Sequence, residues 1–164
     1  MVQAYLSGPI VHDDLRRDEF YHVVVDTLEK NGVTVFAPQF LPRASPREIY
    51  LRDVREVRVS DFLVAEVSNP SLGVGMEIML AIELVIPVLL FRHAQSRPLS
   101  HMVRGADGKV LFEYETVDDV RRILNGISYD SLIVHPCPSC DSQVAEVDEE
   151  GLRCVGCGSR FMVE

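Results

Sequence analysis

Residues 62–77 read FLVAEVSNPSLGVGME, and this stretch decides the fold. Residues 62–67 are apolar on both faces, as in a strand buried within a sheet. Ser68, Asn69, Pro70 and Ser71 break the run, and a helix is expected from about Gly75 to Val85. Gly73 and Gly75, two apart between strand and helix, let the backbone approach a ligand with free N–H groups and a positive dipole end facing it. Neither the Walker pattern nor the full dinucleotide fingerprint is present.

The same alternation continues on both sides. Residues 2–6 read as a strand closed by Ser7, Gly8 and Pro9. Phe20, Val24 and Leu28 give a helix over 14–31 its apolar stripe, and Gly32 suits its end. A second strand is expected over 33–37. Ser45, Pro46 and Glu48 form a capping-box pattern opening a helix to about Val59. Residues 88–91 make a fourth strand, 92–109 a long polar loop, 110–114 a fifth strand and 116–125 a last helix. The expected fold class is α/β, a five-stranded, mostly parallel sheet with helices on both faces, flavodoxin-like or Rossmann-like.

The whole chain of 164 residues is 47% apolar, too much for a disordered protein, and its net charge of −9 argues against a nucleic-acid binder. A small anionic substrate needs only local positive charge. The N-terminus has no basic region before an apolar stretch, and no apolar run approaches the ~18 residues of a membrane span. A soluble, cytoplasmic chain without membrane partners is expected.

Sheets of this kind bind ligands beyond the carboxyl ends of their strands. Three residues there could carry chemistry. Glu77 is expected in the first helical turn, where the dipole would keep it ionised, either as a nucleophile or merely complementing the dipole. Asp53 falls at the edge of a buried stripe formed by Tyr50, Val54 and Val57, free for chemistry or paired with Arg52, Arg55 or Arg58. Tyr5 ends the first strand, pointing at the crevice or buried in the core. In the long loop, Arg92, Arg97 and Arg104 offer an anion grip or a solvated surface.

YLSGPI at 5–10, Asp53, DFLVAEVSNPSLGVGME at 61–77 and LSHMVRG at 99–105 together resemble the nucleoside 2-deoxyribosyltransferase superfamily, and within it the 2′-deoxynucleoside 5′-phosphate N-hydrolases. The resemblance spans roughly residues 1–126. It implies cleavage of the N-glycosidic bond of deoxynucleoside monophosphates through a deoxyribosyl ester on Glu77. Asp53 would assist the departing base, Tyr5 would hold the Glu77 carboxylate, and no catalytic cofactor would be needed. Ser7, Gly8, Pro9, Ile10, Gln39, Ser71, Gly73 and Gly75 would contact substrate. Ser71 and Ser100 match phosphate-gripping positions, with Ser100 and Met102 supplied by the neighbouring subunit of a homodimer. Two positions depart from the hydrolase pattern: Val11 stands where an arginine is usual, and Gln39 where a histidine is. The YLSGP turn leans toward the transferases. Base exchange is therefore an alternative, and a non-catalytic nucleotide sensor is an alternative of another class.

Cys137, Cys140, Cys154 and Cys157 form two C-x₂-C knuckles, the pattern of a zinc ribbon over 136–164, with 129–135 as linker after a catalytic domain of 1–128. A disulfide pair or a redox motif competes less well in a cytoplasmic chain with no helix following the motif. Four thiolates fill a structural Zn²⁺ site and leave no open position. The ribbon carries six acids against two bases, so −4 of the net charge lies there and −5 in the other 135 residues. Its acidity argues against nucleic acid most directly.

Overall fold

A computed structural model describes residues 1–163. In chain order the first layer comprises β1 (Gln3–Ser7), α1 (Asp18–Lys30), β2 (Thr34–Phe36), α2 (Pro46–Val59), β3 (Phe62–Glu66), α3 (Leu72–Glu83), β4 (Val88–His93), α4 (His101–Arg104), β5 (Lys109–Tyr114) and α5 (Val117–Asn125). The five strands lie in the order β2-β1-β3-β4-β5, and every pairing is parallel. This is the flavodoxin-like order, with its switch point beside β1.

Side-chain alternation sorts the core into two layers. Ala4 and Leu6 of β1 and Phe62 and Val64 of β3 pack with α1 and α5. Tyr5, Leu63 and Ala65 face the other way, with Val57 of α2 and Val74 and Ile78 of α3. Tyr5 and Ser7, two apart, therefore point to the α2–α3 side, where the site lies.

Three elements differ from the sequence expectation. α1 begins at Asp18 because residues 12–16 close a turn in which the N–H groups of Leu15 and Arg16 donate to the His12 carbonyl. α3 begins at Leu72 because Ser71 is its N-cap, accepting from the Val74 N–H at 3.4 Å, so both glycines lie inside the first turn. The loop after β4 contains α4. Ser45 and Glu48 do form the expected capping box.

Beyond α5, β6 (Leu132–Val134), β7 (Val144–Asp148), β8 (Gly151–Cys154) and β9 (Arg160–Phe161) form an antiparallel sheet in the order β6-β7-β8-β9. β6 falls within 129–135, the stretch expected as linker. Val144 packs into the α1–α5 core layer, with Val155 against it. Gln143 joins the turn before β5: its N–H donates to the Lys109 carbonyl at 2.8 Å and its Oε1 accepts from the Gly108 N–H at 2.8 Å.

Candidate active site

β1 and α3 build the centre together. Tyr5 Oη donates to Glu77 Oε1 at 2.9 Å, and Ser7 Oγ bonds the other oxygen, Oε2. One carboxylate is thus held through both oxygens by the hydroxyls of two fully buried residues of one strand. Glu77 is the sixth residue of α3, past the first turn, and the expected depression of its pKa does not occur. Burial pushes it up to about 7, against the lowering effect of the Ser7 and Tyr5 hydrogen bonds. Asp53 adds to the rise by like charge, while Arg52 opposes it. Burial and then the Glu77 charge push the Tyr5 phenol far above its usual range, so it stays a proton donor.

Asp53 is 7% exposed on α2, and Arg52 Nε donates to its Oδ1 at 2.7 Å. The ion pair coexists with a charge interaction between Asp53 and Glu77. The Arg52 guanidinium also lies 5.7 Å from the centre of the Phe36 ring, which stacks on Tyr5 at 5.6 Å. Phe36 was not singled out from the sequence. Its signal is positional: it ends β2 in register with Tyr5.

The β1–α1 turn is fixed by α1. Tyr21 Oη donates to the Pro9 carbonyl at 2.8 Å, and a Cβ on Gly8 would fall on the Tyr21 ring, so only glycine fits there. Gln39 is buried with its Nε2 donating to the Leu6 carbonyl at 3.1 Å, and its Oε1 has no partner. Arg16 crosses the rim, donating from Nη1 to the Ile10 carbonyl at 3.4 Å and from Nη2 to the Gln39 carbonyl at 3.2 Å, while paired with Asp18 at 2.7 Å.

A second group of candidates lines a neighbouring cleft of about 440 Å³, whose walls include Ser71, Gly75, Ser100 and Met102 but not Glu77 or Tyr5. A Cβ at Gly73 or Gly75 would meet nothing within 4 Å, so these glycines border open space. In the loop expected as an anion grip, Arg92 is paired with Glu113 at 3.0 Å.

The four cysteines form a separate centre. Their sulfurs all lie within 4.8 Å of one another, with Cys137–Cys157 at 3.7 Å and Cys140–Cys154 at 3.6 Å. A disulfide would bring two sulfurs to about 2.05 Å; these spacings match the edges of a tetrahedron around a metal. The Ser139 N–H donates to Cys137 Sγ at 3.3 Å and the Gly156 N–H to Cys154 Sγ at 3.3 Å, which stabilises thiolates. This set can hold a metal ion.

Residues 4–131 match the family profile described as nucleoside 2-deoxyribosyltransferase. The chain belongs to that family. Among curated members, it is 38% identical over 106 residues to the 5-hydroxymethyl-dUMP N-hydrolase of Danio rerio, covering 63% of this chain and 68% of that one. It is 40% identical over 131 residues to a Syntrophotalea carbinolica protein provisionally named 2′-deoxynucleoside 5′-phosphate N-hydrolase 1, covering 75% and 92%. Among solved structures, a 2-deoxyribosyltransferase of Bacillus psychrosaccharolyticus superposes with a TM-score of 0.55 at 20% identity, over 73% of this chain and 90% of that one. A CMP N-glycosidase of Clostridium botulinum gives 0.62 at 17% identity, over 76% and 99%. These two superpositions show that the 2-deoxyribosyltransferase family fold is shared. Among the described residues no helix is long and apolar enough to cross a membrane.

Proposed function

We propose that this member of the family hydrolyses the N-glycosidic bond of 2′-deoxynucleoside 5′-monophosphates, giving free base and deoxyribose 5-phosphate. Family membership and the names of its relatives support the reaction class. The observation that carries the chemistry is the Glu77 carboxylate held by Tyr5 and Ser7 at the strand ends.

In the first step a Glu77 oxygen bonds to C1′ as the C1′–N bond breaks, and the bonding pair leaves with the base. The transition state is oxocarbenium-like, so the adjacent anion stabilises it, and absence of a 2′-hydroxyl makes that cation easier to form. Asp53 hydrogen-bonds or protonates the departing base. Water then attacks C1′, the Glu77 ester bond breaks, and the carboxylate is regenerated with a proton released. The two hydroxyls fix the attacking carboxylate and compensate its partial desolvation.

The phosphate falls to Ser71, and in a homodimer Ser100 and Met102, which line the Ser71 cleft of their own chain, also complete the neighbouring subunit's site. Leu72, Met76, Met79 and Met102 are exposed by 91, 61, 48 and 81%, an apolar band that supports such a homodimer. The cysteine set takes Zn²⁺ in a structural role, since four thiolates leave no open coordination position. Zinc held by reduced, unbridged cysteines suits a cytoplasmic setting.

Incubating the enzyme with deoxynucleoside monophosphates, and separately with deoxynucleosides plus free base, tests the assignment. Release of deoxyribose 5-phosphate is expected. Base exchange without net hydrolysis would make it a transferase instead, and tight nucleotide binding without turnover would make it a sensor.

A further inference from the structure

Glu66 has no part in the chemistry above, yet it is a carboxylate only 1% exposed at the end of the central strand. It continues the alternation of Phe62 and Val64, so it lies on the α1–α5 face of the sheet, behind Glu77. Both its oxygens are engaged. Oε1 accepts from the Ser68 N–H at 2.6 Å, and Oε2 is bonded by the hydroxyl of Tyr114 at the end of β5. Burial and the Glu66 charge raise the Tyr114 phenol, so it remains the donor. Ser68 Oγ in turn accepts from the His93 N–H at 2.8 Å. The ends of three strands are joined at one point.

The same carboxylate faces the β1–α1 segment. Arg17 Nε is buried without a hydrogen-bond partner, and its nearest opposite charge is Glu66 Oε1 at 3.9 Å. Asn69 Nδ2 then spans the two loops, donating to the Leu15 carbonyl at 3.4 Å. Only Asn69 and Pro70 separate the pinned Ser68 from Ser71, and proline has a fixed φ.

We propose that Glu66, with Tyr114 and Arg17, is a positioning group that anchors the Ser71 loop from behind the sheet and so sets the grip on the substrate's phosphate. This rests on the assignment of Ser71 to the phosphate. Loss of the anchor loosens the loop but leaves Glu77 on its own partners, Tyr5 and Ser7. Its signature is weaker binding of the phosphorylated substrate, with the chemical step intact.

The test compares Glu66→Gln, Tyr114→Phe and Ser71→Ala with the wild-type enzyme, on a deoxynucleoside 5′-monophosphate and on the same nucleoside without phosphate. KM for the monophosphate should rise on the order of tenfold in Glu66→Gln and about threefold in Tyr114→Phe, with kcat within about twofold and the nucleoside parameters unchanged. Should Glu66→Gln fail to fold, Tyr114→Phe, which removes one hydroxyl, carries the test. Folded variants with an unchanged monophosphate KM, beside a Ser71→Ala that raises it, would overturn the role of Glu66. An equal rise in KM for the nucleoside would also overturn it, since that is general loosening. A Ser71→Ala with no effect on monophosphate KM removes the phosphate assignment itself, and this inference with it.

Discussion

At Glu77 burial and hydrogen bonding oppose each other, and burial wins, holding its pKa at about 7. The nucleophile must be ionised, so kcat/KM is expected to rise with pH through about 7 on the acidic limb of its profile. Tyr5→Phe removes a bond to the ionised form and should move that limb to higher pH; Asp53→Asn removes a like charge and should move it lower. A limb unmoved by both substitutions would detach it from Glu77. Stability has the opposite sign. A carboxyl whose folded pKa exceeds its unfolded value binds more protons when folded, so the fold loses stability as pH rises from about 4.5 to about 7. Glu77→Gln should therefore raise the melting temperature at pH 8 by about 2–4 °C, for a gain on the order of 1 kcal/mol, and change little at pH 4. Thermal melts at the two pH values check this.

At the scale of elements, α3 separates what local sequence encodes from what packing decides. The strand–turn–helix order of residues 62–77 was legible from composition and punctuation, and so was the place of Glu77 at the strand ends. The start of the helix was not, because two glycines in its first turn weaken the local helix signal, while the cap depends on the Ser71 side chain meeting the Val74 N–H. That shift moved Glu77 from the dipole end into the second turn, where it faces Tyr5 and Ser7. Strand alternation made Tyr5 and Ser7 neighbours on one face, but only the packed α3 shows that both hydroxyls converge on one carboxylate. The Arg52–Phe36–Tyr5 stack depends on the β1–β2 register, which local sequence does not encode. Because Arg52 opposes the rise in the Glu77 pKa, Arg52→Met should move the acidic limb upward, the reverse of Asp53→Asn. A shift in the same direction as Asp53→Asn would contradict this electrostatic account.

For the whole molecule, the cysteine spacing marks a set able to hold a metal ion, but nothing in that spacing tells where the tail docks. Val144 completes the α1–α5 core layer and Gln143 clamps the turn at Gly108, so the tail is part of the packing of the α/β layer. The net charge divides accordingly: an acidic tail is attached to a mildly acidic catalytic layer. If the proposed Zn²⁺ is held there, a strong chelator should release residues 136–164 to proteolysis and lower the melting temperature by about 5–10 °C, as a 29-residue unit has too little core of its own. An unchanged melt and an unchanged digestion pattern would mean that the cysteines need no ion.

A covalent bond between Glu77 and the sugar is open to detection by mass spectrometry of the enzyme quenched during turnover. A deoxyribose phosphate adduct is expected on the peptide containing Glu77, absent from Glu77→Ala, which should also lose turnover. Turnover retained in Glu77→Ala, or an adduct mapped to another residue, would contradict it.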